Sequence, residues 1–150
     1  MADSNSEIVE MLKKSYSMEI ETVMSYLAYS VNLDGVRAEE IKKSLAAEIA
    51  DELGHAKILA NRIKQLDGLV PGSKGVDIGH QMQPPEDTTD VVAVIQAVIE
   101  AEEGAIAQYK KIIKATDGED YVTQDMCITL QADEEEHRRL FVGFLKEYAK

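Results

Sequence analysis

Four stretches of this chain repeat apolar residues at alternating steps of three and four, the period of a helix with one buried face, and each breaks the repeat with an acid. In the first stretch the stripe runs Leu12, Tyr16, Glu19, Val23, Tyr26, and in the second Ile41, Leu45, Glu48, Glu52, His55, Leu59. The third gives Val91, Ile95, Val98, Glu102, Ala105, Tyr109, Ile112, and the fourth Cys127, Leu130, Glu134, His137, Phe141, Phe144. A core that accepts at least one carboxylate from every helix must compensate their charge, because lone buried carboxylates are costly and neighbouring ones repel.

The punctuation between the stripes sets the architecture. Ser4 and Ser6 offer N-caps, and Ser4 with Glu7 forms a capping box, before a helix over about 6–32. "LDG" at 33–35 ends it, and a second helix is expected over about 38–66, with Glu39 and Glu40 in its first turn and Gly68 beyond its end. "DGLVPGSKGVDIGHQMQPPED", rich in Gly and Pro and aperiodic, reads as a long crossover. Thr88 or Thr89 offers the cap of a third helix over about 89–115, and Asp120 that of a fourth over about 121–148. Helices of roughly 26 to 30 residues are about 40 Å long. The expected fold is all-α: a single domain over residues 1–150, an antiparallel four-helix bundle with one long crossover between helices 2 and 3.

Register decides which acids face inward. A stripe through Glu103 would also bury Gln96 and Lys110, so Glu102 is the inward residue of "EAEEG"; Glu135 and Glu136 are expected to face solvent, and Glu21 to point away from the core. The two halves repeat each other. Glu19 precedes Tyr26 by seven residues and Glu52 by 33, Glu102 precedes Tyr109 by seven and Glu134 by 32, and D-E-L-G-H at 51–55 is echoed by D-E-E-E-H at 133–137. Because positions i and i+3 share a helix face, Glu52 with His55 and Glu134 with His137 each present two ligands to one place. Two divalent cations would bring four positive charges to four carboxylates, and the oxygen and imidazole mix suits iron or manganese, with zinc also able to bind.

Composition narrows the function. A net charge of −12 opposes contact with nucleic acid or anionic membranes and favours cations. Cys127 is the single cysteine, so no internal disulfide is expected, and the start "MADSNSEIVEMLKK" has neither a basic n-region nor an apolar run. A reducing cytoplasm is the expected compartment.

The segments "SMEIETVMSYLAYS", "AAEIADELGHAKIL", "EAEEGAIAQYKKI" and "ADEEEHRRL" together resemble the ferritin-like diiron-carboxylate proteins, most closely bacterioferritin and the related nonhaem Dps-like and rubrerythrin-like proteins. The resemblance implies bridging roles for Glu52 and Glu134, one iron completed by Glu19 and His55, and the other by Glu102 and His137. It implies that Tyr26, with Tyr109 as its counterpart, sits beside the site as a hydrogen-bond or electron donor; a core tyrosine with its hydroxyl on a carboxylate is the plainer alternative. Asp51 and Asp133 are candidates to accept the free N–H of the opposing histidine, against simple solvent exposure. Glu48 either guides cations or sits at the helix edge, Cys127 is read as a core residue, and His80, without a partner at ligand spacing, as a surface residue.

Departures from the family pattern matter as well. Leu53 stands where haem-binding bacterioferritins carry methionine, which argues against haem, and Ala105 stands where rubrerythrins carry a further glutamate. No rubredoxin-like C-x-x-C pair is present, and the chain stops at the fourth helix, so the resemblance does not carry over a 24-subunit cage. The function implied is a nonhaem ferroxidase that oxidises Fe(II) with O2 or H2O2 for storage or detoxification, in a homo-oligomer of two or more chains. The alternatives are a diiron or dimanganese peroxidase or catalase without storage, and a metal-stabilised scaffold or carrier without turnover.

Overall fold

The computed structural model describes residues 2–150, with side chains from Asn5 onward. Four helices carry the fold: α1 (Ala2–Asn32), α2 (Glu39–Gln65), α3 (Val91–Thr116) and α4 (Tyr121–Tyr148). No strand occurs among the described residues. The α1 backbone is already helical at Ala2, so Ser6 lies inside the helix rather than capping it; the proposed capping interaction of Ser4 lies outside the described side chains. At α3 the cap is Asp90, which accepts from Ala93 N–H at 3.0 Å. The threonines proposed for that role bind elsewhere, Thr89 to Asp87 and Thr88 to Asp34, at 2.7 Å each. At α4 Asp120 caps by accepting from Thr123 N–H at 3.0 Å.

Two antiparallel hairpins, α1–α2 and α3–α4, lie side by side, with α1 packed on α3 and only sparse contact between α2 and α4. The sparse pair is pinned at its ends. Arg62 on α2 reaches both oxygens of Asp120 at 3.0 and 3.2 Å, and Arg37, just before α2, covers the Tyr148 ring at 4.8 Å and donates to its carbonyl at 2.8 Å. Between these pins a cleft opens midway along the bundle.

The hydrophobic core is split into two clusters. One gathers Tyr26, Leu33, Ile41, Leu45, Ile95, Val98 and Phe141; the other gathers Leu12, Leu59, Ile63, Tyr109, Ile112, Cys127 and Leu130. The mid-stripe acids lie between the two, sealed above and below by hydrocarbon. Burial of these apolar surfaces supplies the drive that holds the carboxylates together against their repulsion.

The crossover runs back over the α1–α3 side. Asp77 N–H donates to Ser17 Oγ at 3.3 Å and His80 N–H to Glu21 Oε1 at 3.0 Å. Glu21 points away from the central acids, as its register suggested, yet it is buried beneath the loop rather than exposed. A loop of irregular backbone must find acceptors for its N–H groups, and Glu21 is one of them.

Candidate metal centre

Glu19, Glu52, His55, Glu102, Glu134 and His137 come from all four helices and are all buried at the middle of the bundle. They form two overlapping sets, Glu19, Glu52, His55, Glu134 and Glu52, Glu102, Glu134, His137, whose donor atoms in each set lie within 4.8 Å of one another. Glu52 and Glu134 are common to both. The sharing follows from the helical spacing, since each is one end of an E-x-x-H pair whose imidazole belongs to a different set.

An approximate two-fold relation governs the contacts. His55 Nδ1 lies 2.7 Å from Glu134 Oε1, and His137 Nδ1 lies 2.9 Å from Glu52 Oε1. The outer nitrogens face aspartates of the opposing helix, His55 Nε2 to Asp133 at 3.0 Å and His137 Nε2 to Asp51 at 3.2 Å. Both aspartates are more than half exposed in their side chains, so they join the buried imidazoles to solvent. Tyr26 donates to Glu102 at 2.7 Å and Tyr109 to Glu19 at 2.8 Å, each phenol reaching the unshared acid of the other half. The imidazole rings lie nearly parallel, with centroids 6.2 Å apart.

The donor set fits a pair of cations. Glu19 Oε2, Glu52 Oε1, Glu102 Oε2, Glu134 Oε2 and His137 Nδ1 are buried with no hydrogen-bond partner in the protein, although buried polar atoms are nearly always satisfied. His137 Nδ1 and Glu52 Oε1 are close without being aligned as donor and acceptor. Lone pairs that converge without pairing are what a coordination sphere uses, and three oxygen donors with one imidazole suit iron or manganese.

In the metal-free protein, protons carry the compensating charge. Burial opposes charging of His55 and His137, but the adjoining Glu134 and Glu52 carboxylates outweigh it and push both imidazoles up to about 11. Glu102 is held well above the carboxylate range by burial and by Glu134. Glu134 moves the other way: burial would raise it, but Glu102 and the two imidazoles beside it hold it below the usual carboxylate range. Burial raises Tyr26 and Tyr109 further, so their phenols remain hydrogen-bond donors.

Glu48, one turn before Glu52, is only 3 % exposed, so it is not at a solvated helix edge. Burial pushes its carboxyl up to about 8; His137 opposes the rise and Glu134 and Asp51 add to it. Cys127 is buried in the core.

Access to the cluster runs through the α2–α4 cleft, about 440 Å³ in volume and lined by Asp51, Gly54, His55, Asp133 and His137 among others. On the opposite side the crossover is seated against α3. A Cβ on Gly104 would lie 3.0 Å from His80 Nε2 and 3.7 Å from Met18 Cε, so a glycine inside a long helix makes room for the loop's histidine. That role was not read from sequence, although a lone glycine in a strong helical pattern is the signal for such an approach.

The chain matches the ferritin family model, described as a ferritin-like domain, over residues 9–150. A bacterioferritin of Desulfovibrio desulfuricans is 30 % identical over 66 residues, which are 44 % of this chain and 37 % of that protein. The aligned segment thus spans little more than a third of that relative. Among solved structures, the dodecameric thioferritin of Bacteroides fragilis, a bacterioferritin-related protein, superposes with a TM-score of 0.88 at 24 % identity, over 97 % of this chain and 88 % of that one. A ferritin-like diiron-carboxylate protein of Bacillus anthracis gives 0.85 at 23 % identity, over 97 % and 99 %. The D. desulfuricans bacterioferritin gives 0.81 at 21 % identity, over 97 % and 81 %. At these identities the superpositions establish the fold.

Proposed function

Since the chain belongs to the ferritin-like domain family, we propose that it is a nonhaem ferroxidase whose substrate is Fe(II). The observation that carries this reading is the pair of overlapping buried sets that share Glu52 and Glu134. Two Fe(II) ions held side by side each give up one electron, which together reduce O2 to H2O2 or H2O2 to water.

The side chains have separable tasks in this reading. Glu52 and Glu134 bridge, Glu19 with His55 and Glu102 with His137 terminate, and every ligand must be deprotonated to bind. Asp51 and Asp133 accept the outer N–H of the imidazoles, which directs Nδ1 inward as the ligating atom. Tyr26 and Tyr109 orient the terminal carboxylates by hydrogen bonds. The apolar clusters above and below keep bulk water from the cluster, so cations and oxidant enter by the α2–α4 cleft. Copies of the chain assemble into a homo-oligomer, as the dodecameric relative does, and storage follows where the assembly encloses a cavity. No helix among the described residues is long and apolar enough to cross a membrane.

The test is an anaerobic Fe(II) titration of metal-free protein, followed by O2 or H2O2, with oxidation rate and soluble iron per chain both measured. Saturable binding and fast Fe(III) formation are expected. Rapid H2O2 consumption without iron retention would move the assignment to a peroxidase or catalase, and binding without reaction towards either oxidant would leave a metal-stabilised scaffold or carrier.

A further inference from the structure

The α2 stripe carries one acid, Glu48, that neither four-donor set includes. It is 3 % exposed, and neither of its oxygens has a hydrogen-bond partner in the protein. Packing does not call for an acid here. In the repeat that relates D-E-L-G-H to D-E-E-E-H, the residue matching Glu48 is Leu130, 1 % exposed in the core. Leucine thus fills this level of the bundle in one half, and a carboxylate with no partner fills it in the other.

The position of Glu48 is one-sided. Leu45 and Ile49, which flank Glu48 on α2, pack in the apolar cluster of Tyr26, Val98 and Phe141; the Tyr26 hydroxyl bonds Glu102 at 2.7 Å, and Val98 and Phe141 lie one turn from Glu102 and His137 on their own helices. These gather at the Glu102–His137 end of the cluster. On α2, Glu48 and Asp51 are three residues apart and so share a face, and Asp51 lines the cleft through which the cluster opens to solvent.

We propose that Glu48 is a seventh donor of the centre, which completes the cation position built on Glu102 and His137 and makes it bind a divalent cation ahead of the position built on Glu19 and His55. This rests on the diiron reading above. A cation entering by the cleft passes Asp51 and His137, and Glu48, buried one turn before the bridging Glu52, adds a carboxylate at the His137 position. An additional anionic oxygen raises the affinity of one position for a hard divalent cation and breaks the equivalence that the two-fold ligand set would otherwise impose.

The test is an anaerobic titration of metal-free protein with Co(II), followed by visible absorption and by calorimetry. The wild-type chain is expected to bind in two resolved steps. Glu48→Gln, and Glu48→Leu in imitation of Leu130, are expected to weaken the first step about 10- to 100-fold and leave the second in place, so that the steps merge. Circular dichroism checks that both variants stay folded. Two Co(II) bound by the wild type with no change in either variant overturns the role of Glu48 and leaves the diiron reading standing. Equal weakening of both steps in both variants also overturns it, since that marks general damage. A wild-type chain with no saturable Co(II) binding overturns the diiron reading and this inference together.

Discussion

The phenol of Tyr109 on α3 donates a 2.8 Å hydrogen bond to Glu19 on α1, a residue of the other hairpin. The mirrored bond, Tyr26 to Glu102 at 2.7 Å, runs the opposite way between the same two helices. Each acid that belongs to only one donor set is therefore positioned by the half of the molecule that does not contain it. Tyr109→Phe and Tyr26→Phe each leave a buried carboxylate oxygen without its donor, and each is expected to lower the stability of the metal-free protein by about 1 to 3 kcal/mol. Urea denaturation checks this, and a Phe variant as stable as the wild type would remove the positioning role.

Glu52→Ala with Glu134→Ala removes both residues common to the two donor sets. Saturable Fe(II) binding and fast oxidation are expected to vanish together, while the far-ultraviolet circular dichroism stays helical, because the two apolar clusters do not include either residue. Binding that survives the double substitution would refute the assignment of the centre.

Metal binding should release protons. His55 and His137 sit at about 11 in the metal-free protein, yet imidazole ligates only in its neutral form. At neutral pH, loading the centre is expected to expel about two protons from the imidazoles, with more from any carboxyl still protonated. Affinity therefore rises with pH. Calorimetry in buffers of different ionisation enthalpy measures the release, and a binding enthalpy independent of buffer would contradict it.

The pH dependence of metal-free stability has opposing parts. His55 and His137 are raised from 6.5 to about 11, so their contribution is fully present below about pH 6.5 and is lost as pH rises through 11. Glu48 is raised from 4.5 to about 8. The folded state binds its proton more tightly than the unfolded state does, so ionisation costs stability increasingly between those values. Glu48→Gln is expected to change little at pH 4 and to gain about 2 kcal/mol or more above pH 8. Thermal melts at the two pH values decide it, and a gain of equal size at both would show that the carboxylate's charge is not the cause.

The seat of His80 on Gly104 makes a coupled prediction. Gly104→Ala gains helix propensity of up to about 1 kcal/mol but brings a Cβ within 3.0 Å of His80 Nε2. In a His80→Ala background the propensity gain should appear in full; in the wild-type background part of it is offset. A double-mutant cycle measured by urea denaturation checks this, and additive effects would show that the imidazole yields without cost.

The mid-bundle cluster was legible in the sequence because its signal is local. An E-x-x-H pair puts its two ligands on one helix face whatever surrounds it, and an acid on an apolar stripe is misplaced unless something pairs it. Thus Glu19, Glu52, His55, Glu102, Glu134 and His137 could be named before any coordinates, as could the choice of Glu102 over Glu103, which the structure leaves exposed. Glu21 shows where such reasoning stops. Its register points it away from the central acids, but the crossover, which has no period, lies over it. The cap of α3 fell to Asp90 because Thr88 and Thr89 were taken up by Asp34 and Asp87, and Thr88's partner is more than fifty positions away in the chain.

Helix period, inward acids and internal repeat are properties of the sequence by itself, since backbone geometry repeats every few residues and needs no partner to be read. Which groups meet across the bundle was decided by tertiary structure: the phenol of each hairpin on the acid of the other, His80 in the gap at Gly104, and the α2–α4 side left open while the loop closes the opposite one. Those choices depend on the relative rotation and height of four helices and on the path of an aperiodic loop. Both are set by packing the whole core at once, for which no short stretch of chain contains the information.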